Sequence, residues 1–182
     1  MTTILDILGS VVIGGIILFL MINFSVFQSS TSSSSDANLQ IQQNAKTLAE
    51  MLSYDLRKIG YNYSANPLIT AESKKISFHA DIDRDGIDDI VTYLISDSTQ
   101  AELTEKSNDI LLMRIINEDS SSGPTLGLID AKFSFFDSVH VITSDLAKIK
   151  YIKTELWIES IYPVDDKYPF TYWEMTINPR NL

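Results

Sequence analysis

The chain has 182 residues, with 14 Lys and Arg against 24 Asp and Glu, for a net charge of −10. A hydrophobic share of 45% is enough for a packed core, while the acidic excess repels phosphate backbones, so no nucleic-acid partner is expected. There is no cysteine, which removes disulfides, thiolate catalysis and Cys-type zinc or iron–sulfur sites.

No charged residue occurs between Asp6 and Asp36, and the stretch Ile7 to Phe24 is nearly all apolar, about one membrane-spanning length. Nothing basic precedes it, since the first Lys is Lys46, so it lacks the basic start of a signal peptide. Residues 1–28 are therefore expected to form a single transmembrane helix. Neither flank carries the Lys or Arg that would fix its orientation. Ser10 and Gly14 are four residues apart, a spacing that lets two helices approach closely in lipid, although glycine is also ordinary in membrane helices. Asp6 sits at the edge of the apolar run. It is either an interfacial carboxylate or, if Met1 is removed, the partner of a free Thr2 amine on a neighbouring helix, a pairing that lowers the cost of both charges.

Residues 29–36 are Ser-rich and read as a flexible linker, with Ser35 or Asp36 capping a following helix. Ile41, Ala45, Leu48, Leu52, Leu56 and Ile59 then recur at steps of three and four, which predicts a second helix that packs one face on a sheet and stops at Gly60. After it the period falls to two. Strands are expected at Ile76 to Ile82, Ile87 to Ile95, Ile110 to Ile116, Leu128 to Phe136, Ile149 to Ile158 and Phe170 to Ile177. Asp85-Gly86 is a hairpin signal and Ser120 to Pro124 reads as a loop. Residues 37–182 are thus expected to form one α+β domain with a mostly antiparallel sheet.

The stretch Asp81 to Asp89 (DIDRDGIDD) is the best local motif. Asp81, Asp83 and Asp85 stand at the alternate spacing of calcium-loop ligands, Gly86 permits the sharp turn, Ile87 can offer its carbonyl, and Asp89 can act directly or through water. The bidentate Glu of such loops is replaced by Thr92, and the alternative is a plain hairpin tip, with strand alternation turning Asp81 outward. Calcium is the one cofactor considered. His79 and His140 lack a His or Cys partner at metal-ligand spacing, and neither a Gly-x-Ser-x-Gly elbow nor a Gly-rich phosphate loop is present, so no catalysis and no small-molecule substrate are expected. The late aromatics Trp157, Trp173, Tyr162, Tyr168 and Tyr172 read either as core or as a partner surface.

Taken in order, the apolar N-terminal helix with its early acid, the helix Asn44 to Tyr61 (NAKTLAEMLSYDLRKIGY), the Asp-rich turn and strand Asp81 to Leu94, Leu112-Met113-Arg114, Leu128 to Asp137 and the final Pro179-Arg180-Asn181-Leu182 resemble type IV pilin-like proteins. More narrowly, it is similar to PilW-type minor pilins and J-type pseudopilins of type II secretion. The resemblance implies a pilin-like fold and a non-enzymatic subunit in the bacterial inner membrane, with its C-terminal domain periplasmic or extracellular. Such a subunit assembles through Thr2, Asp6, Ser10 and Gly14 with other pilin-like subunits or an assembly platform. The start Thr2-Thr3-Ile4-Leu5-Asp6 departs from the family pattern of a basic leader and a Glu, which favours a membrane-resident assembly or priming subunit over a filament-shaft subunit. The alternative is a membrane-tethered, calcium-dependent extracytoplasmic binding module.

Overall fold

From Ile16 to Ile59 the sequence contains neither Gly nor Pro, so nothing in it forces a helix to break. In the computed structural model, which describes residues 2–96, 109–117, 119–122, 126–164 and 166–182, a single helix α1 (Thr2–Leu56) runs for 55 residues. The flexible linker expected at 29–36 is therefore helical, and the expected second helix is the C-terminal half of α1. The physical reason is that serine disfavours helix by only about 0.5 kcal/mol per residue. Polar side chains on such a helix find an acceptor in the carbonyl four residues back, which satisfies them without ending the helix. Thr31 Oγ1 donates to the Phe27 carbonyl at 2.9 Å, and Asn23 Nδ2 to that of Phe19 at 2.9 Å.

From Asp6 to Gln28, α1 is exposed, with Ile7, Val11, Phe19 and Phe27 each more than half accessible. It is the part of the helix that is long and apolar enough to cross a membrane. The second half buries the stripe Ile41, Ala45, Leu48, Leu52 and Leu56, and Ile59 follows in the same core. Gly60 ends the run with φ +72, and a Cβ there would lie 2.9 Å from Asn181 Cβ, so only glycine fits. Asn181 Nδ2 donates to the Ile59 carbonyl at 3.3 Å, so the C-terminus caps the helix end.

The remaining chain builds antiparallel sheets. β1 (Leu68–Glu72), β2 (Lys75–Ala80), β3 (Asp89–Ile95), β4 (Leu112–Ile116) and β5 (Asp119–Ser122) form a meander in that order. β6 (Leu128–Phe136), β7 (Tyr151–Glu159) and β8 (Phe170–Ile177) form a second sheet of three. Their inward residues, among them Phe78, Tyr93, Leu112, Phe133, Ile152 and Leu156, share one apolar cluster with the α1 stripe. The architecture is α+β with a long N-terminal helix.

Two local differences from the expectation have simple causes. The stretch Ser120 to Pro124 contributes Ser120–Ser122 to β5, whose register on β4 runs from Met113↔Ser122 to Ile116↔Asp119; backbone pairing with a free sheet edge outweighs weak strand propensity there. Gly123 and Pro124 lie outside the described residues. β1 was not expected, because only Leu68 in it is buried. Of the late aromatics, Tyr162, Tyr168, Tyr172 and Trp173 are exposed, and Trp157 meets Tyr172 with tilted rings 5.1 Å apart on the outer face of the second sheet.

Candidate functional site

Two regions carry the candidate residues, and the first is the start of α1. Asp6 lies in the first turns of the helix, and Ser10 Oγ donates to the Asp6 carbonyl at 2.7 Å, so the hydroxyl is satisfied within its own helix. A Cβ added at Gly14 would meet nothing within 4 Å, which leaves a smooth strip from Ser10 to Gly14 open to another helix. Thr2 opens the helix, and its side chain and the whole of Met1 lie outside the described residues.

The second region is the connection between β2 and β3. The strand alternation predicts Asp81 pointing outward, but β2 stops at Ala80, the chain turns back, and Asp81 is only 3% exposed. The loop is built from carboxylates that accept backbone N–H bonds, in the manner of Asx turns. Asp81 Oδ2 accepts from Gly86 N at 3.2 Å, Asp83 Oδ1 from Asp85 N at 3.1 Å, Asp85 Oδ1 from Ile87 N at 2.7 Å, and Asp89 Oδ2 from Ile82 N at 3.1 Å. Arg84 and Gly86 take positive φ, 67° and 88°, which coils the chain tightly enough for these short bonds to close.

This coiling brings one carboxylate oxygen each from Asp81, Asp83 and Asp89 within 4.8 Å of one another. Asp85 spends its Oδ1 on Ile87 N, and the Ile87 side chain is exposed at the loop tip. Two asparagines that the sequence reading passed over complete the surroundings. Asn62 Nδ2 donates to Asp81 Oδ2 at 3.3 Å, and Asn117 Nδ2 to Asp89 Oδ1 at 2.5 Å. Asn117 also holds Ile90 N through its own Oδ1 at 2.9 Å. Both asparagines sit at positive φ, 59° and 48°, a conformation that asparagine tolerates better than most residues.

Lys58 Nζ joins the loop to the helix end, donating to the Ile82 carbonyl at 2.6 Å while lying 4.1 Å from the Tyr54 ring centroid. His79, beside the loop, pairs with Asp88 through Nδ1 at 2.6 Å and stacks on Tyr63 at 4.3 Å. His140 stands apart, stacked on Tyr151 at 4.2 Å.

Comparison with protein-family models, with curated proteins and with solved structures finds no match for this chain. The functional reading therefore rests on its own residues.

Away from the loop, α1 and the edge strand β8 flank an open, mainly apolar groove of about 590 Å³, lined by Ala49, Tyr54, Arg57, Trp173 and Met175. It lies along the half of α1 that carries the core.

Proposed function

We propose that this chain is a non-enzymatic, pilin-like assembly subunit, similar to PilW-type minor pilins and J-type pseudopilins. It is anchored in the bacterial inner membrane by the first half of α1, with its sheet domain on the extracytoplasmic side. It assembles side by side with related subunits, or on an assembly platform, in a type IV pilus or type II secretion-like system.

One observation carries this reading: the apolar segment and the domain core belong to the same unbroken helix. Roughly 60 Å of helix precede Ile41, the first buried residue. About 30 Å of that is apolar and about 20 Å is a polar stalk. A solitary tethered module gains nothing from such a shaft, since a flexible linker gives it more reach. In a side-by-side assembly the shaft matters, because it fixes the domain relative to the membrane segment, so helix packing in lipid and domain packing outside it occur in register. Within the segment, the Ser10–Gly14 strip allows close approach, and Asp6 pairs with the N-terminal amine of a neighbour.

The test is Asp6→Ala in the full chain, crosslinked in its native membrane. The expected result is loss of adducts with other single-helix subunits at an unchanged melting temperature of the domain. Adducts at wild-type yield would refute the Asp6 pairing.

A further inference from the structure

We infer that the β2–β3 loop is a calcium site whose carboxylate ligands are Asp81, Asp83 and Asp89. The site concerns the domain alone and does not depend on the assembly reading.

Asp81 is the deciding residue. It is 3% exposed, and its Oδ2 is engaged by Asn62 and Gly86. Its Oδ1 is buried with no hydrogen-bond partner among the described residues. A buried carboxylate oxygen without a partner is a costly arrangement that a bound cation relieves. The Asp81 carboxylate belongs to the group in which three carboxylates bring oxygens within 4.8 Å of one another. None of the three forms an ion pair with Lys, Arg or His among the described residues. The three carboxylates are thus gathered without a paired cation among the described residues, while Asp88 is bonded to His79 instead.

Donor type and spacing are compatible with calcium. All donors are oxygens, which suits a hard cation. Two oxygens on opposite sides of one ion are about 5 Å apart for calcium and about 4 Å for magnesium. The observed grouping, within 4.8 Å, fits inside the calcium span. The surrounding bonds hold the ligands in place: Asn117 fixes Asp89, Asn62 fixes Asp81, and the Asp83–Asp85 turn presents Asp83. A bound ion joins the end of β2 to the start of β3 and, through Lys58 on the Ile82 carbonyl, steadies the end of α1.

The experiment uses the full chain in detergent, stripped of metal and titrated with calcium chloride by calorimetry and by thermal melting. Expected are one bound calcium per chain and a melting temperature that rises with calcium concentration. Asp83→Asn, an exposed change that leaves the fold intact, weakens calcium binding by about 10-fold or more. Asp81→Asn abolishes the calcium-dependent rise. Asp85→Asn, which alters only the Asx turn to Ile87, retains calcium binding. A melting temperature indifferent to calcium in the wild-type chain overturns the inference and leaves the loop as a hairpin tip. Loss of binding in Asp85→Asn together with full binding in Asp83→Asn overturns the ligand set.

Discussion

Arg114 Nε donates to Asp55 Oδ2 at 2.6 Å, and the same oxygen accepts the Tyr93 hydroxyl at 2.7 Å. Asp55 lies in the last turn of α1, Tyr93 on β3 and Arg114 on β4, so one carboxylate pins the helix end to the centre of the larger sheet. With Asp55 2% exposed and the Arg114 side chain 24% exposed, the pair is mostly removed from water. Arg114→Ala leaves a buried carboxylate with one donor fewer, and the expected cost is about 3 kcal/mol. Chemical denaturation measures it directly. A loss below about 1 kcal/mol would mean that water replaces the guanidinium.

The same triad gives the domain an alkaline limit. Burial first, and then the charge and hydrogen bond of Asp55, push the Tyr93 hydroxyl well above its ordinary value of 10.0. Because the folded state holds this proton more tightly than the unfolded state, the contribution is fully present below about pH 10. It is lost progressively as pH rises beyond that value. Arg114 does not limit this window: burial alone lowers its pKa, but Asp55 outweighs that and the net shift is upward. Melting temperature is expected to fall above about pH 10 in the wild-type chain and to fall less steeply in Tyr93→Phe. Equal slopes would contradict the assignment.

The Ser-rich stretch should behave as a rod. With spin labels on cysteines introduced as Ser25→Cys and Gln42→Cys into this cysteine-free chain, pulsed dipolar spectroscopy should give one narrow distance near 26 Å. Ser33→Pro should broaden it, since proline inside a helix costs about 3 kcal/mol. A broad distribution in the unmodified background would restore the flexible linker.

At the other end of the core, Gly60→Ala places a methyl group at φ +72 and 2.9 Å from Asn181 Cβ. A destabilisation of about 1–3 kcal/mol is expected from the strained backbone and displaced C-terminus. In a chain lacking Asn181 and Leu182, the cost of Gly60→Ala measured against the same truncation with Gly60 should be smaller, because the clash leaves with Asn181. An unchanged cost would place it in the backbone.

The sequence reveals periodic features better than features fixed by cost or topology. The stripe from Ile41 to Ile59 is visible because steps of three and four survive any context, and β2, β3 and β7 show through alternation. β1 and β5 escape the alternation test: only Leu68 of β1 is buried, β5 is a short run of Asp and Ser, and each is an outermost strand paired on one side. The Ser tract misleads because its composition matches linkers while its actual helix penalty is small. At the loop, the spacing of Asp81, Asp83 and Asp89 is evident, but the burial of Asp81 is not, since it depends on where β2 ends. Asn62 and Asn117 join the loop only through the fold, as they are distant from it in sequence.

The assembly claim is tested most directly by a photo-crosslinker placed, one position at a time, along the apolar half of α1 in membranes. Replacement of Ser10, Gly14 or Ile17, which share a face, should yield adducts with neighbouring single-helix subunits. Replacement of Val12 or Phe19, on the opposite face, should yield few, and Asp6→Ala should suppress those at Ser10 and Gly14. Adducts with lipid alone at every position would contradict the account and make α1 a solitary anchor.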